Sequence, residues 1–491
     1  MLPWKTIISI EKTAELPVYL QITNAIILEI KKGIIKPGSR MPGTRTMSED
    51  LGVHRQTVVS AYEEMYSQGW LVNFPSKGTF VNEQLPEVSP RKLAKGDEKI
   101  SFPSETGFSF KINPLIHPAS ASGREITGFH DGADYRLTPS DLISRTYKSI
   151  LQRKTGQILL SYMDVQGRSF VRQAISDYLN NSRGLQTKAE NIFMTRGTQM
   201  AMFLLSNVLI EKNDIVVAAR ISYRYADLVF LNAGAKIERV TVDENGLDID
   251  EVEKICKKKK IRAVYVTSHH HYPTTVTLSA ARRMKLLQLA EKYRFIIIED
   301  DYDYEFHYDT SPILPLASAD RCGMVIYIGS FSKTISPGIR VGYIVAPQNL
   351  IPEIGKYRMI VDAQGDSVLE QVVAELLNEG EIRRHLKKAL KIYHERRNHL
   401  CNLLDSELNG IVDFKIPDGG LSIWTRFDKK ISLPELSSEM KKKGVVLSNG
   451  LIHDKAEGKK LNATRMGFGW MNQTETDHAM GVLVDCVKRV V

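Results

Sequence analysis

The pattern of apolar and polar positions divides the chain of 491 residues into two differently organised parts. In the first eighty residues or so, apolar positions recur at helical spacing. Tyr19, Ile22, Ile26 and Ile30 share one face of a predicted helix, which Gly33 ends. In the long C-terminal part, short apolar runs alternate with helical patterns. These two textures predict two separately folded regions.

Two further helices are predicted around the turn Gly52-Val53. Two helices joined by a short glycine-containing turn are typical of a helix-turn-helix. The segment "WLVNFPSKGTFV" that follows predicts two short strands, a hairpin that would form a wing. The positions that face inward on the two helices are Met47, Leu51, Val58, Tyr62 and Met65.

The start of the second helix is polar and basic, which a recognition helix needs in order to reach base edges. From Lys31 to Ser60, six basic residues face two acidic ones. The pattern alone leaves a protein contact open, because a helix-turn-helix also serves that purpose. The candidate DNA-contacting residues are Arg45, His54, Arg55, Gln56 and Thr57, with Lys77 and Gly78 in the wing.

The apolar runs of the C-terminal part are rich in β-branched residues and predict buried parallel strands. They are "DIVVAAR", "RAVYVTS", "RFIIIED" and "MVIYIGS", and helical patterns such as "SAARRMKLLQLAEKY" lie between them. This alternation implies crossover connections and a mostly parallel sheet. Ligands of such sheets bind beyond the carboxyl ends of the strands. We expect the chemically interesting residues to follow predicted strands directly.

The stretch "GSFSKTISPGIRVGY" holds Lys333 between small hydroxyl residues, glycines and a proline. A lysine amine condenses with an aldehyde, and pyridoxal 5'-phosphate is the common aldehyde cofactor. We therefore predict a pyridoxal phosphate site with Lys333 as its catalytic lysine. Such a site also needs a carboxylate on the pyridine nitrogen, a phosphate cup, a stacking ring and a binder for a ligand carboxylate.

Each of these requirements has a candidate. The strand end "FIIIEDDYDYEF" offers Glu299, Asp300 and Asp301, and a carboxylate here would keep the pyridine nitrogen protonated; Tyr302 would hydrogen-bond the phenolic oxygen of the ring. Tyr223 would stack on the ring, and Arg465 would bind a ligand carboxylate. Free N–H groups at a helix start and a charged arginine favour phosphate. The phosphate candidates are Gly197, Thr198, Gln199, Ser330, Ser332 and Arg340.

Each candidate alone also has an ordinary structural explanation, such as a solvated strand-end acid, a helix cap, a core tyrosine or a simple ion pair. Three consecutive histidines, His269 to His271, raise the question of a metal. Neighbouring residues on a strand point to opposite faces, so no metal site is predicted there. Four scattered cysteines show neither a disulfide framework nor metal-ligand spacing.

The segment "MPGTRTMSEDLGVHRQTVVSAYEEMYSQGWLVNFPSKGTFV" resembles the winged helix of the GntR family. It departs from that family at Met41-Pro42-Gly43, where leucine-proline-serine is usual, and at His54, where serine is common. The base preference at His54 is therefore open.

From about Thr127 to Val491 the ordered set of motifs resembles fold-type I aminotransferases of class I/II. By that resemblance Lys333 is the Schiff-base lysine, Asp300 the pyridine partner and Arg465 the carboxylate binder. In "SYMDVQGRSFVRQAISDYLNNSRG", Tyr162 would reach the phosphate of the neighbouring subunit.

One motif departs from the aminotransferase pattern. Many aminotransferases carry asparagine-proline-threonine-glycine, but "SHHHYPTTVTLS" has Tyr272 in the asparagine place and Thr275 in the glycine place. This form resembles the regulator branch of the fold, and it argues against full turnover geometry.

Together the two resemblances indicate a regulator of the MocR/GabR type. They imply a winged helix-turn-helix at 1–82, a linker at 83–123, and at 124–491 an α/β fold-type I domain with a mostly parallel sheet and a small C-terminal α+β subdomain. They also imply a transcriptional regulator that binds double-stranded operator DNA and forms a head-to-tail homodimer. An amino-acid or amine effector would be sensed by aldimine exchange at Lys333.

Two alternatives stay open at this point. In the first, the chain is a working aminotransferase with an attached DNA-binding domain. In the second, it is a DNA-binding protein whose large domain is a scaffold without cofactor. We expect at most residual transaminase activity. The net charge of +9 permits an anionic partner. Without a predicted membrane helix or signal-peptide core, the expected location is the cytoplasm. The sequence names neither the effector nor the operator, nor the direction of regulation.

Overall fold

The computed structural model describes residues 3–11, 14, 16–85, 104–113, 127–309, 311, 313–453 and 461–490. The chain divides into two compact units, Met1–Lys111 and Ile112–Val491. Most of the linker predicted at 83–123 lies outside the described residues, so its boundaries stay a prediction.

The smaller unit consists of helices and one hairpin, as the sequence predicts. A two-stranded antiparallel sheet joins Leu71 to Val81 and Phe74 to Gly78. The helices are α1 (Trp4–Ile7), α2 (Val18–Lys31), α3 (Thr44–Leu51) and α4 (Arg55–Ser67), and the strands are β1 (Leu71–Phe74) and β2 (Gly78–Val81).

Apolar side chains at helical spacing hold this unit together. Ile22, Ile26, Met47, Val58 and Met65 are all completely buried in its core. Each such side chain contributes about 1.5 to 3 kcal/mol on burial, which offsets the conformational entropy lost on folding. The predicted inward faces of α2 to α4 are thereby confirmed.

The larger unit alternates strands and helices. Its strands are β3 (Thr127–Gly128), β4 (Ile192–Thr195), β5 (Ile215–Ala219), β6 (Lys236–Val240), β7 (Val242–Asp243), β8 (Gly246–Leu247), β9 (Ala263–Val266), β10 (Ile296–Asp301), β11 (Val325–Ser330), β12 (Gly342–Val345), β13 (Val412–Phe414), β14 (Ser422–Phe427), β15 (Val445–Val446) and β16 (Ala463–Gly467).

Its helices are α5 (Ser140–Gln152), α6 (Lys154–Gln157), α7 (Ser169–Arg183), α8 (Thr198–Leu209), α9 (Arg224–Asn232), α10 (Ile249–Cys256), α11 (Ala280–Tyr293), α12 (Leu316–Ala319), α13 (Ile351–Val361), α14 (Ser367–Asn378), α15 (Glu381–Leu408), α16 (Leu433–Lys442) and α17 (Gln473–Val490).

Seven strands form the main sheet, in the order β4-β12-β11-β10-β9-β5-β6. The strand β12 runs antiparallel to both of its neighbours, and the other six strands are parallel to one another. Separate apolar cores cover the two faces of the sheet. This explains why the central strands are continuous apolar runs, and it confirms the predicted mostly parallel sheet.

A smaller antiparallel sheet, β13-β14-β16, packs with α15, α16 and α17 around its own core. It confirms the predicted small C-terminal α+β subdomain. The short strand β3 pairs in parallel with β15 and so brings the residues after Gly128 to this subdomain. Across the described ranges, no helix combines the length and apolarity needed to cross a membrane.

Candidate functional site

A cavity of about 410 Å³ opens in the larger unit where β9, β10 and β11 end. This is the edge at which α/β sheets bind their ligands. Nine of its lining residues were predicted from the sequence. The full lining is Asp131, Thr198, Gln199, Tyr223, Tyr265, Thr267, Tyr272, Asp300, Tyr302, Ser330, Ser332, Lys333 and Arg340.

Lys333 follows β11 directly and reaches into this cavity with a side chain that is 20% exposed. Its Nζ donates a hydrogen bond of 2.9 Å to the backbone oxygen of Asp131 and lies 3.7 Å from Asp131 Oδ1. The amine is therefore held inside the pocket and remains within reach of a small ligand.

Asp300 lies at the end of β10 and is almost completely buried. Tyr265 donates a hydrogen bond of 2.9 Å to its Oδ2, whereas Oδ1 has no hydrogen-bond partner among the described residues. Burial is the main reason why the pKa of Asp300 is raised to about 7, and the nearby Asp301 and Asp303 add to it. An orphaned buried carboxylate oxygen beside a cavity indicates a missing donor.

The turn between β4 and α8 forms one end of the cavity. Gly197, the N-cap of α8, has φ of 84°, and a Cβ atom there would stand 2.7 Å from Arg340 Nη2. A Cβ on Gly342 would stand equally close to the Gly197 backbone. Glycine is needed at both positions, because only a bare backbone permits this approach.

Hydroxyl groups and the Arg340 guanidinium meet at the same end. Arg340 Nη1 donates to Ser332 Oγ at 3.2 Å, and Arg340 Nη2 donates to the backbone oxygen of Arg196 at 2.8 Å. Ser330 Oγ donates to Ser332 Oγ at 2.9 Å. Together with the start of α8 at Thr198, these donors form a cup suited to a phosphate.

Two tyrosines form an aromatic wall of the cavity. Tyr223 and Tyr272 meet edge to face with their ring centroids 5.3 Å apart, and Gln199 Nε2 donates to the Tyr223 hydroxyl at 3.5 Å. Burial, followed by the charge of Asp300, raises the pKa of Tyr223 well above its usual value. Both hydroxyls therefore stay protonated near neutral pH.

Arg465 lies within β16 and is 6% exposed, so the expectation that every such residue follows a strand is wrong for it. Its Nε is 3.0 Å from Asp131 Oδ2, and its Nη2 donates to the Tyr302 hydroxyl at 3.4 Å. Tyr302 in turn donates to the backbone oxygen of His270 at 2.9 Å. The Tyr302 proton is thus already in use, and donation to a ligand would require that bond to exchange.

A buried ionic network lies behind the cavity. Asp301 is 3.1 Å from His269 Nδ1 and accepts a 2.6 Å hydrogen bond from Tyr327. Burial would raise the pKa of Asp301, but the charge of His269 lowers it to about 2. Arg183 pairs with Glu305, which also accepts from Thr334 at 3.3 Å. Since Thr334 is the neighbour of Lys333, this network anchors the lysine loop.

The three histidines follow β9 rather than lying in a strand, so the strand argument used for them in the sequence is wrong. Each nonetheless has its own partner: Asp301 for His269, Asp303 for His270 and Thr274 for His271. Within the described ranges, no three His, Cys, Asp or Glu side chains are arranged to hold a metal ion.

The sequence interpretation missed Asp131, Tyr265 and Thr267. Tyr265 and Thr267 belong to the run "RAVYVTS", and a hydroxyl at the end of a predicted parallel strand was a usable signal. Asp131 gave no such signal, because the strand before it, β3, has only two residues and leaves no apolar run in the sequence. Tyr162 does not line the cavity and is 90% exposed, so its reach to a neighbouring subunit stays a prediction.

The smaller unit presents a second candidate site. Gly52 ends α3 with φ of 64°, and His54 begins α4 as its N-cap, accepting from the Gln56 amide at 3.3 Å. Arg55 Nε donates to Thr44 Oγ1 at 3.3 Å and so joins the starts of the two helices. The two helices predicted around the Gly52-Val53 turn are present.

The predicted DNA-contacting side chains are accessible. Arg45, His54, Arg55 and Gln56 are exposed, and Thr57 is half-buried. In the wing, Lys77 is exposed and Gly78 has φ of 103° beside the Arg40 side chain. A row of exposed polar and basic groups along the start of α4 matches what a major groove requires.

Comparison with known proteins matches two families to two stretches of the chain. The family described as "Aminotransferase class I and II" matches residues 133–482, and the one described as "Bacterial regulatory proteins, gntR family" matches residues 18–81. The first match spans more than half of the chain. Members of this aminotransferase fold family typically use pyridoxal phosphate.

Individual relatives agree with this division. The chain is 28% identical to the probable rhizopine catabolism regulatory protein MocR of Rhizobium meliloti, over 86% of this chain and 84% of that one. It is 26% identical to the HTH-type transcriptional regulator TauR of Rhodobacter capsulatus, over 89% and 90%.

A solved aminotransferase structure matches a large part of the chain. The kynurenine aminotransferase of Pyrococcus horikoshii, in complex with PMP, superposes with a TM-score of 0.69 and 26% identity over 75% of this chain and 92% of that one. The chain therefore belongs to the aminotransferase class I and II family and carries a gntR-family helix-turn-helix domain ahead of its aminotransferase domain.

Proposed function

We propose that this transcriptional regulator with an aminotransferase-like domain senses an amino-group metabolite through pyridoxal phosphate bound at Lys333. The observation that carries the proposal is that two features occur in the same cavity. An accessible lysine amine, that of Lys333, lines the cavity, and the buried Oδ1 atom of Asp300 has no hydrogen-bond partner among the described residues.

The residues around the cavity fit this cofactor. Asp300 would hold the proton on the pyridine nitrogen, and its raised pKa in the cofactor-free protein is what burial without a counter-cation produces. Arg340, Ser330, Ser332 and the start of α8 would hold the phosphate. Tyr223 would bound the ring on one side. When bound, pyridoxal phosphate supplies an aldehyde carbon that condenses with primary amines.

The effector acts through competition with Lys333. An incoming amine that takes the place of Lys333 frees its Nζ, which would then hold or release a proton inside the pocket. A ligand shifts a conformational equilibrium only by its difference in affinity for the two states. Loss of the lysine linkage and new contacts of the effector with pocket side chains supply that difference.

A homodimer is part of the proposal. Gln364 hydrogen-bonds to Met163 and Ser161, which joins two chain segments rich in exposed apolar side chains. An exposed apolar patch of this kind marks an interface in soluble proteins, and a second copy of the chain would cover it. The exposed side chains are Ile158, Leu160, Tyr162, Tyr357, Met359, Ile360 and Val361.

Two copies would also present two recognition helices. Paired half-sites raise the effective concentration of the second helix once the first has bound. We infer that the chain binds a double-stranded operator with two related half-sites, and that effector binding changes its operator affinity.

The test is an absorbance spectrum of purified full-length protein with added pyridoxal phosphate, followed by titration with amines. We expect a visible band that borohydride reduction removes and that one amine shifts. The same amine should change operator affinity in a gel-shift assay. Absence of a band after cofactor addition would indicate that the aminotransferase-like domain binds no pyridoxal phosphate and serves only as a scaffold. Steady keto-acid production would instead identify a working aminotransferase.

A further inference from the structure

Asp131 is a second carboxylate in the lining of the cavity, besides Asp300. Ser422 Oγ donates to Asp131 Oδ1 at 2.8 Å, and Asp131 Oδ2 lies 3.0 Å from Arg465 Nε. Lys333 Nζ lies 3.7 Å from Oδ1. The carboxylate thus stands between the two cations that an amino-acid ligand would use.

Arg465 has contacts on all three of its guanidinium nitrogens. Besides Nε at Asp131, Nη1 donates to the backbone oxygen of Pro273 at 3.2 Å, and Nη2 donates to the Tyr302 hydroxyl at 3.4 Å. The ring of Tyr272 covers the guanidinium, with its centroid 5.0 Å from Cζ. A ligand carboxylate needs a free edge of the guanidinium to bind with two parallel hydrogen bonds. Each of the three nitrogens of Arg465 already faces an oxygen of the protein, and the one charged partner is Asp131.

The charges facing the cavity point the same way. The cations that line it are Arg340, which belongs to the phosphate cup, and Lys333, which belongs to the predicted aldehyde carbon. Arg465 lies behind the lining residues Asp131 and Tyr302 and is left for a carboxylate. Asp131 already neutralises it. Partial burial would raise the pKa of Asp131, but the charges of Arg465 and Lys333 and the Ser422 hydrogen bond hold it well below its usual value. A second carboxylate would therefore meet an ionised like charge.

From this arrangement we propose that Asp131 is a specificity-determining residue of the pocket. Its carboxylate occupies Arg465 and disfavours effectors that carry a carboxylate. The pocket accordingly selects primary amines without a carboxylate, whose other end is uncharged or cationic. This inference rests on the proposed function, and it replaces the predicted role of Arg465 as a free carboxylate binder with that of a cation held by the protein's own carboxylate.

The first experiment does not depend on the cofactor. Butyrate has a carboxylate but no amine, so it cannot bind the cofactor covalently and reports on how readily a carboxylate enters the pocket. Calorimetric titration of full-length protein should show weak or undetectable butyrate binding to the wild type. Asp131→Asn, of nearly equal shape, should bind butyrate at least about tenfold more tightly, because a like-charge neighbour has been removed. Equal butyrate affinity in the two proteins would overturn the proposal.

The second experiment uses cofactor-loaded protein and three four-carbon amines: 4-aminobutyrate, 1,4-diaminobutane and 1-aminobutane. Spectral titration of the wild type should rank 4-aminobutyrate last, and Asp131→Asn should raise its relative affinity by about tenfold or more. Tightest binding of 4-aminobutyrate by the wild type would refute the selectivity.

Two variants keep these tests decisive. Asp413→Asn, an exposed position on β13, makes the same change in net charge away from the cavity and should leave the ranking unchanged. Ser422→Ala loosens Asp131 without removing its charge, and should relax the ranking in the same direction if Asp131→Asn folds poorly. Failure to form a cofactor band would count against the proposed function, whereas the butyrate result would still decide the role of Asp131.

Discussion

The two candidate sites of this protein are built in opposite ways. The residues predicted to contact DNA at the start of α4 are consecutive in sequence, 54–57, and mostly exposed. The pocket residues are drawn from positions between Asp131 and Arg340, and two of them, Asp300 and Tyr265, are buried and hydrogen-bonded to each other. One site is a local surface, and the other is a product of the whole fold.

This contrast implies a difference in how the two sites respond to mutation. Exposed side chains with few shared partners contribute nearly independently, so each substitution should remove a fraction of binding. Buried groups that share charges and hydrogen bonds depend on one another, so one substitution can remove the whole function. The predictions below test that difference, beginning with the largest expected effect.

Lys333→Ala should abolish the cofactor absorbance band and its trapping by borohydride while leaving the fold intact, because the amine is the group that binds covalently. The measurement is the visible spectrum of the variant with excess pyridoxal phosphate. Lys356→Ala is the matched control, since Lys356 is exposed on α13 and pairs only locally, with Glu353. A band of wild-type size in Lys333→Ala would assign the linkage to another lysine. A single substitution in the pocket would then not remove its function, contrary to the contrast drawn between the two sites.

Asp300→Asn should make the cofactor-free protein more stable at alkaline pH. Burial raises the Asp300 pKa to about 7, so its contribution to stability is complete below the pKa of the unfolded chain and is lost as pH rises through 7. Between pH 5 and pH 8 the variant should gain about 3 kcal/mol over the wild type, because the wild type loses about 1.4 kcal/mol for each pH unit between 5 and its pKa.

Urea unfolding of both proteins at pH 5 and pH 8 measures this gain. The exposed Asp413→Asn should show no pH-dependent difference from the wild type. If the free energies of unfolding of Asp300→Asn and the wild type were equal at both pH values, Asp300 would be solvated. The pocket would then be as open to water as the DNA-contacting surface.

Arg55→Ala should weaken operator binding by about 1 to 2 kcal/mol, because one guanidinium leaves the start of the recognition helix. Gel-shift titration at fixed salt gives the difference. Lys32→Ala is the control for loss of one positive charge in the same unit, since Lys32 follows α2 and pairs with Glu29. An Arg55→Ala affinity equal to that of Lys32→Ala would mean that only charge is read there.

Lys77→Ala, in the wing, should have the smallest effect. It should reduce affinity by less than about 1 kcal/mol on every DNA sequence and lower the salt-dependence slope by about 1, as for loss of one phosphate contact. Binding measured at four salt concentrations gives the slope. A sequence-dependent loss would show that the wing reads bases.

The comparison also explains what the sequence could reveal. Residues of α4 were predictable because a glycine turn, a helical period and a polar start lie within about twenty positions. Lys333 and Asp300 were predictable because each follows or ends an apolar run whose length indicates a buried strand. Their meeting in one cavity follows from the order of the parallel strands, which the alternation with helices indicates.

Asp131 could not be predicted in this way. It stands after the two-residue strand β3, and its position depends on the pairing of Thr127 with Val445, more than three hundred residues away. The sequence pattern also does not reveal that the Arg465 guanidinium is paired with Asp131. That ion pair connects the residues after β3 with β16 through side chains alone. Contacts of this kind become visible only in three dimensions.

The position of Asp131 outside the predicted cofactor set has an evolutionary consequence. Aspartate and asparagine codons differ by a single base, so one nucleotide change would remove the charge that holds Arg465. Lys333, Asp300, the phosphate cup and the recognition helix would all be left as they are. A gene duplicate could therefore acquire a new inducer in one mutational step while it still reads the ancestral operator.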